Sequence, residues 1–147
     1  MSQIQKINNA SFSTFLNLLD SEKLCMDIDL KKDLYYGIYD LEKLVGSYGL
    51  EVFGRSALLR SVVLAPSKKG IGLGSKLITH SRRKARENQI ENLYLLTTTA
   101  KNFFEREGFR EIQRTKVPES IGNTVEFKSF CPDSATCMQL NIPSDDK

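Results

Sequence analysis

The sequence predicts an α+β, or mixed α/β, domain built as a single pair of layers, and three features support that class. Apolar runs separated by turn residues fill positions 34–65, as an antiparallel meander requires. A segment of helical period follows at 73–88, and a compact apolar run at 92–97, so strands alternate with helices in the second half. The 147 residues, 40% hydrophobic and 27% charged, suit one globular domain and not a disordered chain. A domain of this size buries roughly 68–70% of its unfolded surface and needs no staples.

The elements follow in order. "QIQKI" (3–7) alternates as a first strand. In "SFSTFLNLLDSEKL" (11–24), Phe12, Phe15, Leu16 and Leu19 recur at helical spacing, with Ser11 as N-cap. Residues 25–34 are mixed and read as irregular, with room for a short helix. "LYYGIYD" (34–40), "LVGSYGLEVFG" (44–54) and "ALLRSVVLA" (57–65) are three strands, joined by turns at Asp40–Lys43 and Gly54–Ser56. In the helix at 73–88, Leu73, Leu77, Ile78, Ser81 and Ala85 share one face. Lys76, Arg82, Arg83 and Arg86 fall elsewhere, the arginines near the C-terminal end suiting the helix dipole. "NLYLLT" (92–97) is a buried strand. "TAKNFFEREG" is a short helix stopped by Gly108. "FREIQR" (109–114) is a strand, "VPESIGN" a loop or helical turn, and "TCMQLNI" (136–142) the last strand. One domain over 1–142 and a flexible tail over 143–147 are expected.

Bulk properties exclude several functions. The formal charge of +3 favours an anionic small ligand but is too small to argue for nucleic acid. "MSQIQKINNA" lacks the apolar core of a signal peptide, and no run approaches the ~20 apolar residues of a membrane span. Three cysteines, Cys25, Cys131 and Cys137, are an odd count that fits reduced thiols in a cytoplasm. Their spacing and number do not make a zinc site; they read as buried free thiols, with a three-thiol site for a soft ion or trivalent arsenical as the lesser alternative. His80, the only histidine, reads as an exposed bystander on the long helix, so no metal is expected.

The chemistry concentrates in "SVVLAPSKKGIGLGSKL" (61–77). An apolar strand ends at a proline, and Lys68, Lys69 and the alternating Gly70, Gly72 and Gly74 lead into a helix. Glycines let a ligand press against the backbone, and amides entering a helix are unpaired donors backed by the dipole. Such a loop holds phosphate. It is not the nucleoside-triphosphate loop, because no lysine follows the G-x-x-x-x-G spacing. Nor is it the dinucleotide fingerprint, because G-x-G-x-G replaces G-x-G-x-x-G and "NLYLLTTTA" ends in threonines and not an acid.

"KGIGLG" after that strand resembles the pyrophosphate loop of the GNAT N-acetyltransferases, [R/Q]-x-x-G-x-[G/A]. Lys69 replaces the family's Arg or Gln, keeping charge but losing a planar fork. "LYLLTTTAKNFFEREGF" is similar to the family's later motif. The wording is closest to a small GNAT branch named for arsenic-resistance operons, through "GLEVFG", "LLRSVVLAP", "FFEREGF" and "EFKSFCPDSATCM", and to the acetyltransferase domain of N-acetylglutamate synthase. The resemblance covers roughly residues 44–140 and implies no arsenic chemistry. It implies a sheet splayed between "SVVL" and "NLYLLT", with acetyl-CoA inserted in the splay. Val62 and Leu64 would pair with the pantetheine arm. Lys69 and the amides of Gly70, Ile71, Gly72, Leu73, Gly74 and Ser75 would hold the pyrophosphate. Arg106 is placed to meet the outer phosphate, or is an exposed helix arginine. Many relatives pair through edge strands, so the resemblance admits a homodimer.

The acceptor implied is the amine of a small molecule, an amino acid or analogue. A neutral amine must attack, and the base expected is Glu51, a charge in an otherwise apolar strand. If Gly54 pairs with Ala57, Glu51 faces Arg60, which orients it, binds a substrate carboxylate, or merely forms a structural ion pair. Thr97 and Thr98 either cap a helix or line the acceptor pocket. The family's usual acid, a tyrosine four residues before the Gly-Phe glycine, is Phe104 here and has no proton to give. A non-catalytic acetyl-CoA-binding sensor or subunit therefore stands as the alternative.

Overall fold

The structure, a computed structural model, describes residues 2–143. Its strands are β1 (Ser2–Lys6), β2 (Leu34–Asp40), β3 (Lys43–Phe53), β4 (Ser56–Leu64), β5 (Asn92–Thr97), β6 (Arg110–Glu111) and β7 (Thr136–Asn141). The helices are α1 (Phe12–Ser21), α2 (Leu73–Glu87), α3 (Lys101–Arg106) and the single turn α4 (Glu119–Gly122), and a π-helical turn spans Glu126–Phe130. The strands form one sheet in the order β1-β2-β3-β4-β5-β7-β6, antiparallel at every pairing except β4 with β5. The tail expected at 143–147 lies outside the described residues from 144 onward.

Helix α2 covers one face of the sheet. Its expected stripe, Leu73, Leu77, Ile78, Ser81 and Ala85, is the one that is buried, against Leu50, Leu59, Leu93 and Leu95 among others. Leu77 and Ile78 are fully buried, and each such side chain contributes about 1.5–3 kcal/mol of transfer free energy. Helix α1 covers the other face, placing Phe15 and Leu19 against Tyr35, Tyr39 and Val63. A smaller cluster on that face joins Leu58 and Tyr94 to Ile121 of α4 and Phe127 of the π turn.

Three details differ from the sequence reading. The β3–β4 hairpin pairs Phe53 with Ser56 around a two-residue turn, Gly54–Arg55, with Gly54 at φ +63°. Glu51 therefore faces Leu58, and Arg60 faces Gly49. The two-residue shift preserves the face, so Glu51 and Arg60 are diagonal neighbours. The strand expected at 109–114 is reduced to Arg110–Glu111, with one further main-chain bond from the Ile112 N–H to the Cys137 carbonyl, because the chain turns into a 3-10 segment at Arg114–Lys116. His80 is half-buried and not an exposed bystander. It stands 2.7 Å from the buried Tyr48 hydroxyl and packs against the Tyr36 ring. A buried tyrosine needs a partner for its O–H, and the His80 ring supplies one, while burial with the nearby Arg83 and Lys84 lowers the imidazole pKa and favours the neutral ring.

Gly49 is required by packing, since a Cβ there would fall 2.3 Å from the fully buried Tyr35 ring. Gly49→Ala should cost about 1–3 kcal/mol by overpacking. A urea unfolding midpoint equal to that of the wild type would refute this.

Candidate functional site

The sheet opens between β4 and β5. Their parallel ladder holds only Ser56 with Asn92, Ala57 with Leu93, and Leu58 with Tyr94. Beyond Leu58, β4 continues beside β3 alone, while β5 continues beside β7. Within this free stretch β4 carries a bulge. Ser47 pairs with Val63 and Gly49 with Arg60, so two residues, Ser61 and Val62, oppose the single Tyr48. Ser61 has φ +57°, a region rare for residues with a side chain. The bulge exchanges the faces: Leu59 belongs to the core under α2, yet Val63 packs against α1.

A cavity of about 470 Å³ occupies the opening. Val62, Val63 and Leu64 form its β4 wall, and Lys69, Gly70, Gly72, Gly74 and Ser75 its loop wall. Thr99, Ala100, Phe103 and Arg106 close the α3 side. Gly70 and Gly72 have φ of +82° and +87°, and Gly72 is the N-cap of α2. Gly74 serves packing instead, because a Cβ there would meet the Phe103 ring at 3.1 Å. No side chain caps α2, whose first main-chain bond is Lys76 N–H to Gly72 carbonyl. The amides of Leu73, Gly74 and Ser75 are thus unpaired donors at the positive end of a 15-residue helix. The Leu73 side chain is buried in the core, and Ile71 is 64% exposed at the crest of the loop.

Two carboxylates share this anion-seeking wall. Glu22 meets Lys69 at 3.3 Å, and Glu107 accepts from the Ser75 hydroxyl at 2.6 Å. Both line the cavity. Neither was singled out in the sequence, since each becomes relevant only through folding.

Glu51 and Arg60 lie on the α1 face of the sheet and not in that cavity's lining. The Arg60 side chain is 5% exposed and enclosed by protein groups, its Nη atoms hydrogen-bonded while Nε makes an ion pair without a hydrogen bond. Nε stands 2.7 Å from Glu126 Oε2, Nη1 3.4 Å from Glu51 Oε1, and Nη2 donates to the Asp27 carbonyl at 2.9 Å. Burial opposes the guanidinium charge, but Glu126, Tyr35, Cys25 and Glu51 outweigh it and raise its pKa. Burial raises the Glu126 pKa above the usual carboxylate range, against the pull of Arg60, and its Oε1 has no hydrogen-bond partner among the described residues. Asp33, also buried, is raised by burial and then by the Glu51 charge. Lys32 approaches Glu51 Oε2 at 3.9 Å from the surface. Glu126 escaped sequence reading because its π turn carries no periodic signal.

Thr97 caps α3, its Oγ1 accepting from the Ala100 N–H at 3.0 Å. Thr98 is exposed, and the next residue, Thr99, reaches the cavity. Phe104 is buried, edge-on to Phe103 and Phe109. All three cysteines are free thiols, and Cys137 is pushed up to about 11 by burial. Among the described residues no group of three or more His, Cys, Asp or Glu side chains is disposed to hold a metal ion, and no helix is long and apolar enough to cross a membrane.

The splayed mixed sheet, with a glycine loop feeding a helix at its mouth, defines a GNAT fold. The acetyltransferase (GNAT) domain family matches residues 31–111, more than half of the chain, and the chain belongs to that family. Its fold is similar to that of N-acetylglutamate synthase from Neisseria gonorrhoeae complexed with coenzyme A and N-acetyl-glutamate, with a TM-score of 0.83 at 15% identity. That match covers 97% of this chain and 35% of the synthase, so the chain spans about a third of that protein. An acetyltransferase of the GNAT family from Staphylococcus aureus Mu50 matches over 97% of this chain and 100% of its own, with a TM-score of 0.78 and 18% identity. Rv2747 from Mycobacterium tuberculosis, solved in complex with CoA, matches over 96% and 99%, with a TM-score of 0.80 and 20% identity. At these identities the likeness is one of fold.

Arg60→Met would leave Glu126 and Glu51 without their shared guanidinium. Breaking a buried pair in this way should cost about 3–5 kcal/mol at pH 7. Arg60 pulls the Glu126 pKa down, so without it the folded variant holds that proton more tightly than the folded wild type, and acidification favours the variant's fold more. The deficit should therefore shrink as the pH falls from 7 towards the carboxylate range. Urea unfolding at pH 7 and pH 5 checks both the size and the sign.

Proposed function

We propose that this chain is an acetyl-CoA-dependent N-acetyltransferase whose acceptor is the amine of a small molecule, an amino acid or analogue. The observation that carries the reading is one continuous cavity joining the uncapped amides of α2 to the β4 main chain left free by the splay. The residues present fit the cofactor. Unpaired amides with Lys69 and Arg106 suit a diphosphate and its outer phosphate, and an exposed strand edge suits an amide-bearing arm. Its three free thiols favour a cytoplasmic location.

Acetyl-CoA supplies an acyl group activated as a thioester. The amides from Gly70 to Ser75, including Ile71 and Leu73, hold the diphosphate, and Val62 and Leu64 pair with the arm. Glu51, directly or through water, takes the proton from the attacking amine. The amine nitrogen bonds to the acyl carbon, the carbon–sulfur bond breaks, and the thiolate leaves. With a thiol pKa of about 8.5 it needs no acid, so Phe104 in the tyrosine position is tolerable. Arg60 orients Glu51. A substrate carboxylate reaching Arg60 would compete with Glu126 and Glu51, so this role is favoured over a carboxylate clamp. Thr97 shapes the loop that presents Thr98 and Thr99 beside the acceptor.

Release of free thiol from acetyl-CoA, screened with glutamate, other amino acids and their analogues, tests the proposal. At least one amine should accelerate release. Binding without turnover for every amine would favour the sensor reading. Glu51→Gln should lower kcat by about 10²-fold or more while leaving the acetyl-CoA Kd within twofold. An unchanged kcat would remove Glu51 as the base.

Glu22 places a negative charge beside the diphosphate position and occupies Lys69. Glu22→Gln should tighten CoA binding several-fold, by an amount that fades as salt rises. Calorimetric titration at two ionic strengths reads this, and weaker binding would show that Glu22 serves the cofactor.

A further inference from the structure

We infer that Ser47 is a positioning residue that sets the direction of the Val62 amide by pinning the bulge of β4; the inference rests on the acetyl-CoA reading of the cleft. Ser47 lies on β3 and is fully buried. Its hydroxyl donates to the Ser61 carbonyl at 2.7 Å. A serine hydroxyl has one proton to give, and this one is spent on the carbonyl of the residue held at φ +57°.

The consequence follows from peptide geometry. In a trans peptide the carbonyl of one residue and the N–H of the next point in opposite directions. No cis peptide occurs among the described residues. The Ser61 carbonyl is drawn towards β3, so the Val62 N–H is turned towards the β5 side. That is the side on which the ladder ends after Leu58 and on which Val62 lines the cavity. The device thus fixes a main-chain donor in the cleft wall before any ligand arrives, and a preset donor costs no reorganisation when it is used.

The bulge is not held from within. The Ser61 side chain is buried, yet its own hydroxyl has no partner among the described residues. A residue with a Cβ disfavours this backbone region, and glycine does not. Ser61 therefore needs an external hold, and among the hydrogen bonds of its carbonyl the Ser47 side chain provides one from β3. Gly46 leaves space for this arrangement, since a Cβ there would stand 2.9 Å from the Val63 carbonyl.

The test is a rescue. Ser47→Ala should weaken CoA binding at least fivefold in calorimetric titration and lower the kcat for acetyl-CoA turnover. Adding Ser61→Gly, which makes the positive φ cheap, should return most of the lost affinity. Ser61→Gly alone should raise the thermal midpoint. A merely structural Ser47 would show no such rescue. If Ser47→Ala does not fold, Ser47→Cys, near in size with a weak S–H donor, takes its place in both backgrounds. Wild-type affinity in the Ser47 variant, or a double variant no better than the single one, overturns the inference while the acetyl-CoA reading stands. Failure of the wild type to bind CoA overturns that reading, and this inference with it.

Discussion

The parallel pairing of β4 with β5 stops after three residue pairs, and the rest of the site depends on that early stop. A strand edge opened inside a protein leaves donors and acceptors that require partners. Here the chain does not close the gap with another strand. It lines it with main chain from β4 on one side and α3 on the other, and places the N-terminus of α2 at the mouth. Hydrogen-bonding capacity that a closed sheet would consume is thereby kept for a ligand that has both an extended polar arm and an anionic end.

The two faces of the sheet divide the work. On the α2 side an apolar core holds the helix whose first amides are unpaired beside the cavity. On the α1 side Arg60 is enclosed by Glu51, Glu126 and the Asp27 carbonyl. The bulge at Ser61 joins these regions, lying one residue from Arg60 and one from Val62. Because it exchanges the side-chain faces, the same strand sends Arg60 and then Val63 to the α1 side while presenting Val62 to the cleft. A regular strand could not do both within four residues, since its side chains alternate strictly.

The sequence made α2 and its loop legible because both carry local signals: a 3.6-residue stripe and glycines at positive φ. The Glu51–Arg60 contact was legible because two charges in adjacent apolar strands must meet, although the hairpin is shifted by two residues. The bulge was not legible. Ser61 sits in the apolar run "ALLRSVVLA", and nothing local announces φ +57°. Glu126 was hidden for a related reason, since its π turn follows no hydrophobic period and reaches Arg60 only across the fold. His80 looked solvent-facing by helical period, but period alone ignores the buried Tyr48 hydroxyl that needs a hydrogen-bond partner.

Amide NMR of the protein titrated with CoA reads both walls of the cleft at once. If the opened sheet and the helix terminus form one site, the amides of Gly70, Gly72 and Gly74 and those of Val62 and Leu64 should shift together, saturating at one equivalent. The absence of saturable shifts, or shifts confined to the α2 face beside His80, would contradict the account.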